Sequence, residues 1–411
     1  MVRRHLLVSI CLPACLLLAC GSSGGGAGGT GGSGSGTGGS TGTGGSGATG
    51  TAGLGTGKGF AFPQNKATGA CVLTTVSGAS SMTQTAYNNW KTSYLVTSGS
   101  GLRVQRPENG NDTVSEGIGY GMLAAVYMGD KATFDGLWTY TKTHLDGNGL
   151  MTWCIPSGGS GSCSGSGSAT DADEDIAFAL LMASDQWQGG TYLTDGVAMV
   201  NAIHGSDLFS DYSVQNGDAW NSTNAIYPDY FSPAYYRVFA KAANDPSWSN
   251  VVDVGYQHLA ALTGTGGLVP NSTNLQNSLD SSCQISGRAC DLKYGYDACR
   301  MPWRIGMDAC WNDEKRAITY LTAIGGYFNS NGGVASIGDG YTSPNGPKTS
   351  SNQNSAFIGP AGIAGMAAGF GTLRDNAFMF NGGGNSTYFA QSLRVISMLM
   401  MSGNMLDFSQ L

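Results

Sequence analysis

Asp171, Asp173, Glu174 and Asp175 place four carboxylates in five positions of a 411-residue chain in which only 11% of residues are charged. Behind them, Ile176, Leu180, Ala183, Ser184 and Trp187 recur at the spacing of one buried helical face, so the acids stand at the entrance of a helix predicted over Ala172–Trp187. Acids there suit three kinds of work. Asp171 with Glu174 three residues on forms a capping box, and the helix dipole favours negative charge in a first turn. The alternation of Asp171, Asp173 and Asp175 resembles the start of an EF-hand calcium loop, but the sixth position, which needs Gly for its sharp turn, is Ile176. Catalysis is the third. Spacing alone leaves cap and catalyst open.

Two further acids lie among glycines and aromatics. Glu116 sits in Thr113-Val-Ser-Glu-Gly-Ile-Gly-Tyr-Gly-Met122, where Ser115 is a possible cap and Glu116 a dipole-favoured first-turn acid. Gly117, Gly119 and Gly121 weaken that helix by about 1 kcal/mol each relative to Ala, a cost that points to close approach of a ligand or another backbone. Asp297 sits in Tyr294-Gly-Tyr-Asp-Ala-Cys-Arg-Met-Pro-Trp-Arg304. Asp297 and Arg300 are three apart, the spacing of a weak surface pair. Among Tyr296, Pro302 and Trp303, the same Arg would hold the carboxylate ionised and aimed, as a general base requires.

The elements that must position these acids read as helices. Eleven helical patterns run over 83–95, 115–128, 131–144, 172–187, 192–203, 233–244, 248–262, 297–311, 313–328, 355–369 and 388–402, separated by Gly- and Asn-rich loops with small β pieces, such as the run after Asp146-Gly-Asn-Gly. Helix pairs of this length predict an all-α ring of helical hairpins. Residues 60–411 are long enough for one large domain. A formal charge of −7, which becomes −9 without residues 1–19, argues against a nucleic-acid partner and suits a neutral, hydroxyl-rich ligand.

Residues 1–19 combine Arg3, Arg4 and a short apolar run, the pattern of an export signal. Their end, Leu17-Leu18-Ala19-Cys20, resembles a lipoprotein signal, which implies acylation of Cys20 and a membrane anchor at the cell envelope; Gly21 after the Cys favours the outer membrane. Gly21 to Gly59, with 21 glycines in 39 residues, predicts a flexible linker spanning about 35 Å. Among seven later cysteines, Cys154 with Cys163 and Cys283 with Cys290 are the nearest loop-located pairs, and one thiol must stay odd. Scattered histidines and the absence of Cys-x-x-Cys predict no metal, and no motif asks for a cofactor.

From Ala169 to Trp187 the chain agrees position by position with the signature of glycoside hydrolase family 8. Ser-Glu-Gly-x-Gly-Tyr-Gly-Met at 115–122, Asp-Ala-x-Arg-x-Pro-Trp-Arg at 297–304 and Ser-Leu-Arg at 392–394 also resemble that family, in its order. The resemblance covers Phe60 to the C-terminus. It implies an (α/α)6 barrel, a monomeric endo-acting hydrolase of β-1,4-linked polysaccharide and an inverting mechanism, with Glu116 as general acid and Asp297 as general base. Asp171 or Asp173 would bind the sugar of the bond being cut. Trp153 is similar to a family aromatic that stacks on a sugar, and Tyr296, Arg300, Tyr235 and Tyr388 are further binding candidates. Ile118 stands where the family commonly has Gln. Xylan, lichenan or chitosan as substrate, a non-catalytic polysaccharide-binding lipoprotein and, remotely, a metal-dependent terpene cyclase are the competing readings.

Overall fold

The computed structural model describes residues 53–220, 224–279, 283–383 and 387–411. The expected signal, Cys20 and most of the linker lie outside the described residues. Twelve α-helices occur among those described: α1 Ala79–Tyr94, α2 Ser115–Tyr127, α3 Lys131–Lys142, α4 Thr170–Gln186, α5 Tyr192–Ser206, α6 Pro233–Ala243, α7 Trp248–Leu262, α8 Met301–Asn312, α9 Lys315–Ser330, α10 Ser355–Ala368, α11 Gly371–Gly383 and α12 Tyr388–Met401. The even-numbered helices pack each against the next, and α12 returns to α2, closing a ring. The odd-numbered helices pack outside them, which makes the fold an (α/α)6 barrel.

Burial explains the sorting. Every residue of α4 is buried, as are nearly all of α2, α10 and α12, so the inner helices are shielded all round. The outer α1 buries only Thr83, Ala86, Tyr87, Trp90 and Tyr94, a single helical stripe. Glycines let the inner helices close on one another. A Cβ on Gly119 would lie 2.8 Å from the Cβ of Asp175 on α4, and one on Gly117 would lie 3.0 Å from the ring of Tyr388 on α12. The close approach expected of these glycines is therefore to neighbouring helices.

Short two-stranded pairs sit in the loops between the helices. Thr113–Val114 pairs with Cys154–Ile155, and the Ser115 N–H donates to the Trp153 carbonyl at 2.9 Å, which ties the start of α2 to the Trp153 segment. Lys293–Tyr294 pairs with Tyr341–Thr342 just before Asp297. The expected helix over 297–311 is a 3-10 turn, Ala298–Arg300, followed by α8. Helix α11 has no counterpart among the sequence patterns.

Cys154–Cys163 and Cys283–Cys290 are bonded as the sequence suggested, Cys71 is bonded to Cys310 across 239 residues, and Cys299 is the odd thiol, buried. At the opposite end of the barrel a strap of residues 53–60, of which 53–59 read from sequence as the end of the linker, lies along the C-terminus of α4. The Thr56 N–H donates to Asp185 Oδ1 at 2.9 Å, the Gly57 N–H to the Ser184 carbonyl at 3.1 Å, and Phe60 stacks on Phe408 with centroids 4.3 Å apart. No helix among the described residues is long and apolar enough to cross a membrane.

Candidate active site

The N-terminal ends of the inner helices converge on one guanidinium. Arg300, on the turn leading into α8, reaches Glu116 Oε2 and Asp171 Oδ2 through Nη1, each at 2.6 Å. Its Nη2 reaches Asp229 Oδ2 at 2.7 Å and Asp297 Oδ1 at 3.3 Å. Each amino group thus serves one closed and one open carboxylate: side-chain exposure is 3% for Asp171 and 20% for Glu116 on Nη1, and 0% for Asp229 and 43% for Asp297 on Nη2. Glu116 also accepts from the Tyr388 hydroxyl at 2.6 Å, from the first residue of α12.

One cation among four acids sets the electrostatics. Burial pushes the Glu116 carboxyl up, and the charge of Asp171 adds to this against the pull of Arg300 and the Tyr388 hydrogen bond. Asp297, deep-set despite its open edge, is also raised by desolvation and by Asp171, with Arg300 opposing. Asp229 is pushed up to about 7 by burial, with Arg300 opposing.

The acidic stretch at the head of α4 divides its labour. Its N-cap is Ala169, which makes no side-chain cap, so the capping box does not form. Asp171 faces Arg300. Asp173 turns instead to the loop before Trp153, accepting from the Met151 N–H at 2.7 Å, and burial next to Asp207 raises it well above the usual carboxylate range. Glu174 accepts from the Tyr236 hydroxyl at 2.7 Å, and Asp175 pairs with the buried Arg304 through both oxygens. Ile118 is fully buried, so no polar group stands at that position beside the acid.

Aromatic rings continue outward from this cluster. The Arg300 guanidinium lies 5.7 Å from the Tyr230 ring, which stacks on Tyr227 at 5.1 Å; Trp220 follows at 6.3 Å from Tyr227, and Trp153 at 5.9 Å from Trp220. Trp153 is half-buried and packs against this row. Tyr296 is 45% exposed beside Asp297, its hydroxyl donating to Asp339 at 2.7 Å. Tyr235 departs from expectation. It is fully buried, stacked on Phe178 with centroids 4.0 Å apart, because its position on α6 faces α4 in the core and gives it no open surface. Tyr388 is 3% exposed and spends its hydroxyl on Glu116.

Sequence reasoning missed Asp229, Tyr227, Tyr230 and Trp220. The available signal was Tyr227-Pro-Asp-Tyr-Phe-Ser-Pro233, a lone acid between prolines and rings with no basic neighbour in sequence. Among the described residues, the group whose atoms lie as close as metal ligands is Asp112, Cys154 and Cys163. It is no metal centre, since the sulfurs are bonded to each other and Asp112 is paired with Arg106 through both oxygens.

A half-open acid whose proton affinity is raised by burial, facing an open carboxylate across a shared cation and flanked by rings, is suited to splitting an acetal between sugars. On a barrel of six helical hairpins this defines a glycoside hydrolase. Residues 60–403 match the family model described as Glycosyl hydrolases family 8. The chain is 36% identical over 350 residues to Endoglucanase C of Ruminiclostridium cellulolyticum, covering 82% of this chain and 74% of that one. It is 34% identical over 354 residues to a beta-glucanase of Niallia circulans, covering 80% and 86%. The apo structure of a beta-1,3-1,4-glucanase from Paenibacillus sp. X4 superposes with a TM-score of 0.77 at 31% identity, over 84% of this chain and 99% of that one. The chain belongs to glycosyl hydrolase family 8.

Proposed function

We propose that the chain is an endo-acting, inverting hydrolase of β-1,4-linked glucan, exported and held at the cell envelope by a lipid on Cys20. The observation that carries the chemistry is the pair Glu116 and Asp297 on opposite amino groups of Arg300. Two hydrogen bonds and the width of a guanidinium separate them at most, a span compatible with the about 6.5–9.5 Å that leaves room for a water in an inverting site. Glu116, its proton affinity raised by burial, gives its proton to the glycosidic oxygen. Asp297, open to solvent, takes a proton from the water that attacks the opposite face of the sugar. Asp171 binds the hydroxyls of the sugar at the scissile bond, Asp173 supports it through the turn at Met151, and Trp153 and Tyr296 stack on neighbouring sugars. Arg300 holds the acid and the base in mutual register.

The glucan reading is supported by the similar proteins, which are an endoglucanase, a beta-glucanase and a beta-1,3-1,4-glucanase. The export reading rests on Leu-Leu-Ala-Cys20. Residues 53–411 incubated with carboxymethylcellulose, lichenan, xylan and chitosan should release reducing ends fastest from the two glucans, with a rapid fall in viscosity and the α-anomer appearing first by NMR. Release of the β-anomer first would refute inversion, and no release from any polymer would refute the reading of the site.

A further inference from the structure

Asp229 is the most enclosed carboxylate of the cluster: its side chain has no exposed surface, and among the described residues no hydroxyl or amide serves either of its oxygens. Its one close polar neighbour is Nη2 of Arg300, at 2.7 Å, on the amino group that also serves Asp297. We propose that Asp229 is a positioning residue for hydrolysis, which fixes Arg300 from the protein side and, through the charge it places on that guanidinium, sets the pH up to which Glu116 keeps its proton. This rests on the assignment of Glu116 and Asp297 as acid and base.

Four acids share one cation in an enclosed space, so they do not all ionise together. Around Asp229 stand Arg300 and Asp297 from the turn before α8, Asp171 from α4, Arg304 from α8, Tyr227 beside it and Tyr320 from α9. Around Glu116 stand Arg300, Asp171, Tyr388, Arg106 and Tyr120. Asp229 has the least solvent and the fewest donors of the four, and burial holds its proton up to about pH 7 against the pull of Arg300. Once ionised, it draws on the positive charge that otherwise favours the ionised form of Glu116. A negative charge added there raises the acid's affinity for its proton, and active enzyme persists to higher pH. Well below neutrality Asp229 is itself neutral, and an amide in its place changes no charge there.

The test is the pH profile of kcat/KM for D229N on a soluble glucan. The amide keeps the volume and the contact with Nη2 but never ionises. The alkaline limb should move to lower pH by about half a unit or more, the acid limb should stay, and kcat should fall while KM changes less than about twofold. An unchanged alkaline limb, or one moved to higher pH, overturns the proposal. D229S, which removes the charge and part of the volume, should show the same displaced limb. If thermal melting shows that neither variant folds, Asp229 is a purely structural buried group and the proposal falls. An inactive wild type would refute the acid and base assignment and this proposal with it, whereas an active wild type with an unmoved D229N profile refutes this proposal alone.

Discussion

Glu116 gathers its properties from three helices. Its own α2 places it in a first turn, α4 brings the charge of Asp171 to the same Arg300 nitrogen, and α12 supplies the Tyr388 hydroxyl at 2.6 Å. Burial raises its proton affinity and the two donors restrain it, the balance that the proposed role of general acid requires. Replacing it by Gln keeps the shape and removes the proton. E116Q should lower kcat on an unactivated glucan by about 10²–10⁴-fold, the usual contribution of a general acid, while soluble oligosaccharide still binds by calorimetry. Retention of more than about a tenth of wild-type turnover would show that another group donates the proton. Glu116 and Asp297 were legible in sequence because each stands in a motif of glycines and rings, and Asp171 because it opens a run of four carboxylates. Asp229 was not, because what makes it matter is a distance of 2.7 Å to a side chain 71 positions further on.

At the scale of elements, the barrel depends on how closely its inner helices approach. Helix α2 carries three glycines where Ala would be better for an isolated helix by about 1 kcal/mol each. The structure shows what that cost accomplishes: Gly119 lies against Asp175, and Asp175 is held on both oxygens by a buried Arg304 and cannot yield. G119A should therefore destabilise the domain by about 1–3 kcal/mol despite the gain in helix propensity, seen as a lower midpoint in urea denaturation with an unchanged slope. A midpoint at or above wild type would mean that the α2 and α4 backbones are not in limiting contact. Sequence periodicity found eleven of the helices described, because buried stripes and flanking Gly or Asn mark them. It could not say whether the α2 glycines serve a ligand or a neighbouring helix, since that depends on α4 and α12, both distant in sequence. Nor could it pair Cys71 with Cys310, which meet only because the segment around Cys71 returns to the end of α8 after 239 residues.

The whole molecule has two unlike ends. The chemistry sits where the inner helices begin. At the other end, the strap of residues 53–60 is hydrogen-bonded to the last turn of α4, and Phe408 packs between Phe60 and Tyr127. Helix α4 has 17 residues and is therefore about 25 Å long, so its acids and the strap are separated by most of the thickness of the barrel. The chain consequently has a grip and a working edge. Whatever is joined ahead of Gly53 pulls on the side that no polymer needs to enter. Coupling residues 53–411 to beads through an added N-terminal tag should leave kcat/KM on a soluble glucan within about twofold of the free protein. A large loss on coupling would mean that substrate travels around the strap as well as across the acids. The same geometry lets the enzyme be fixed to a surface and still present its acids outward, toward chains too long to diffuse to it.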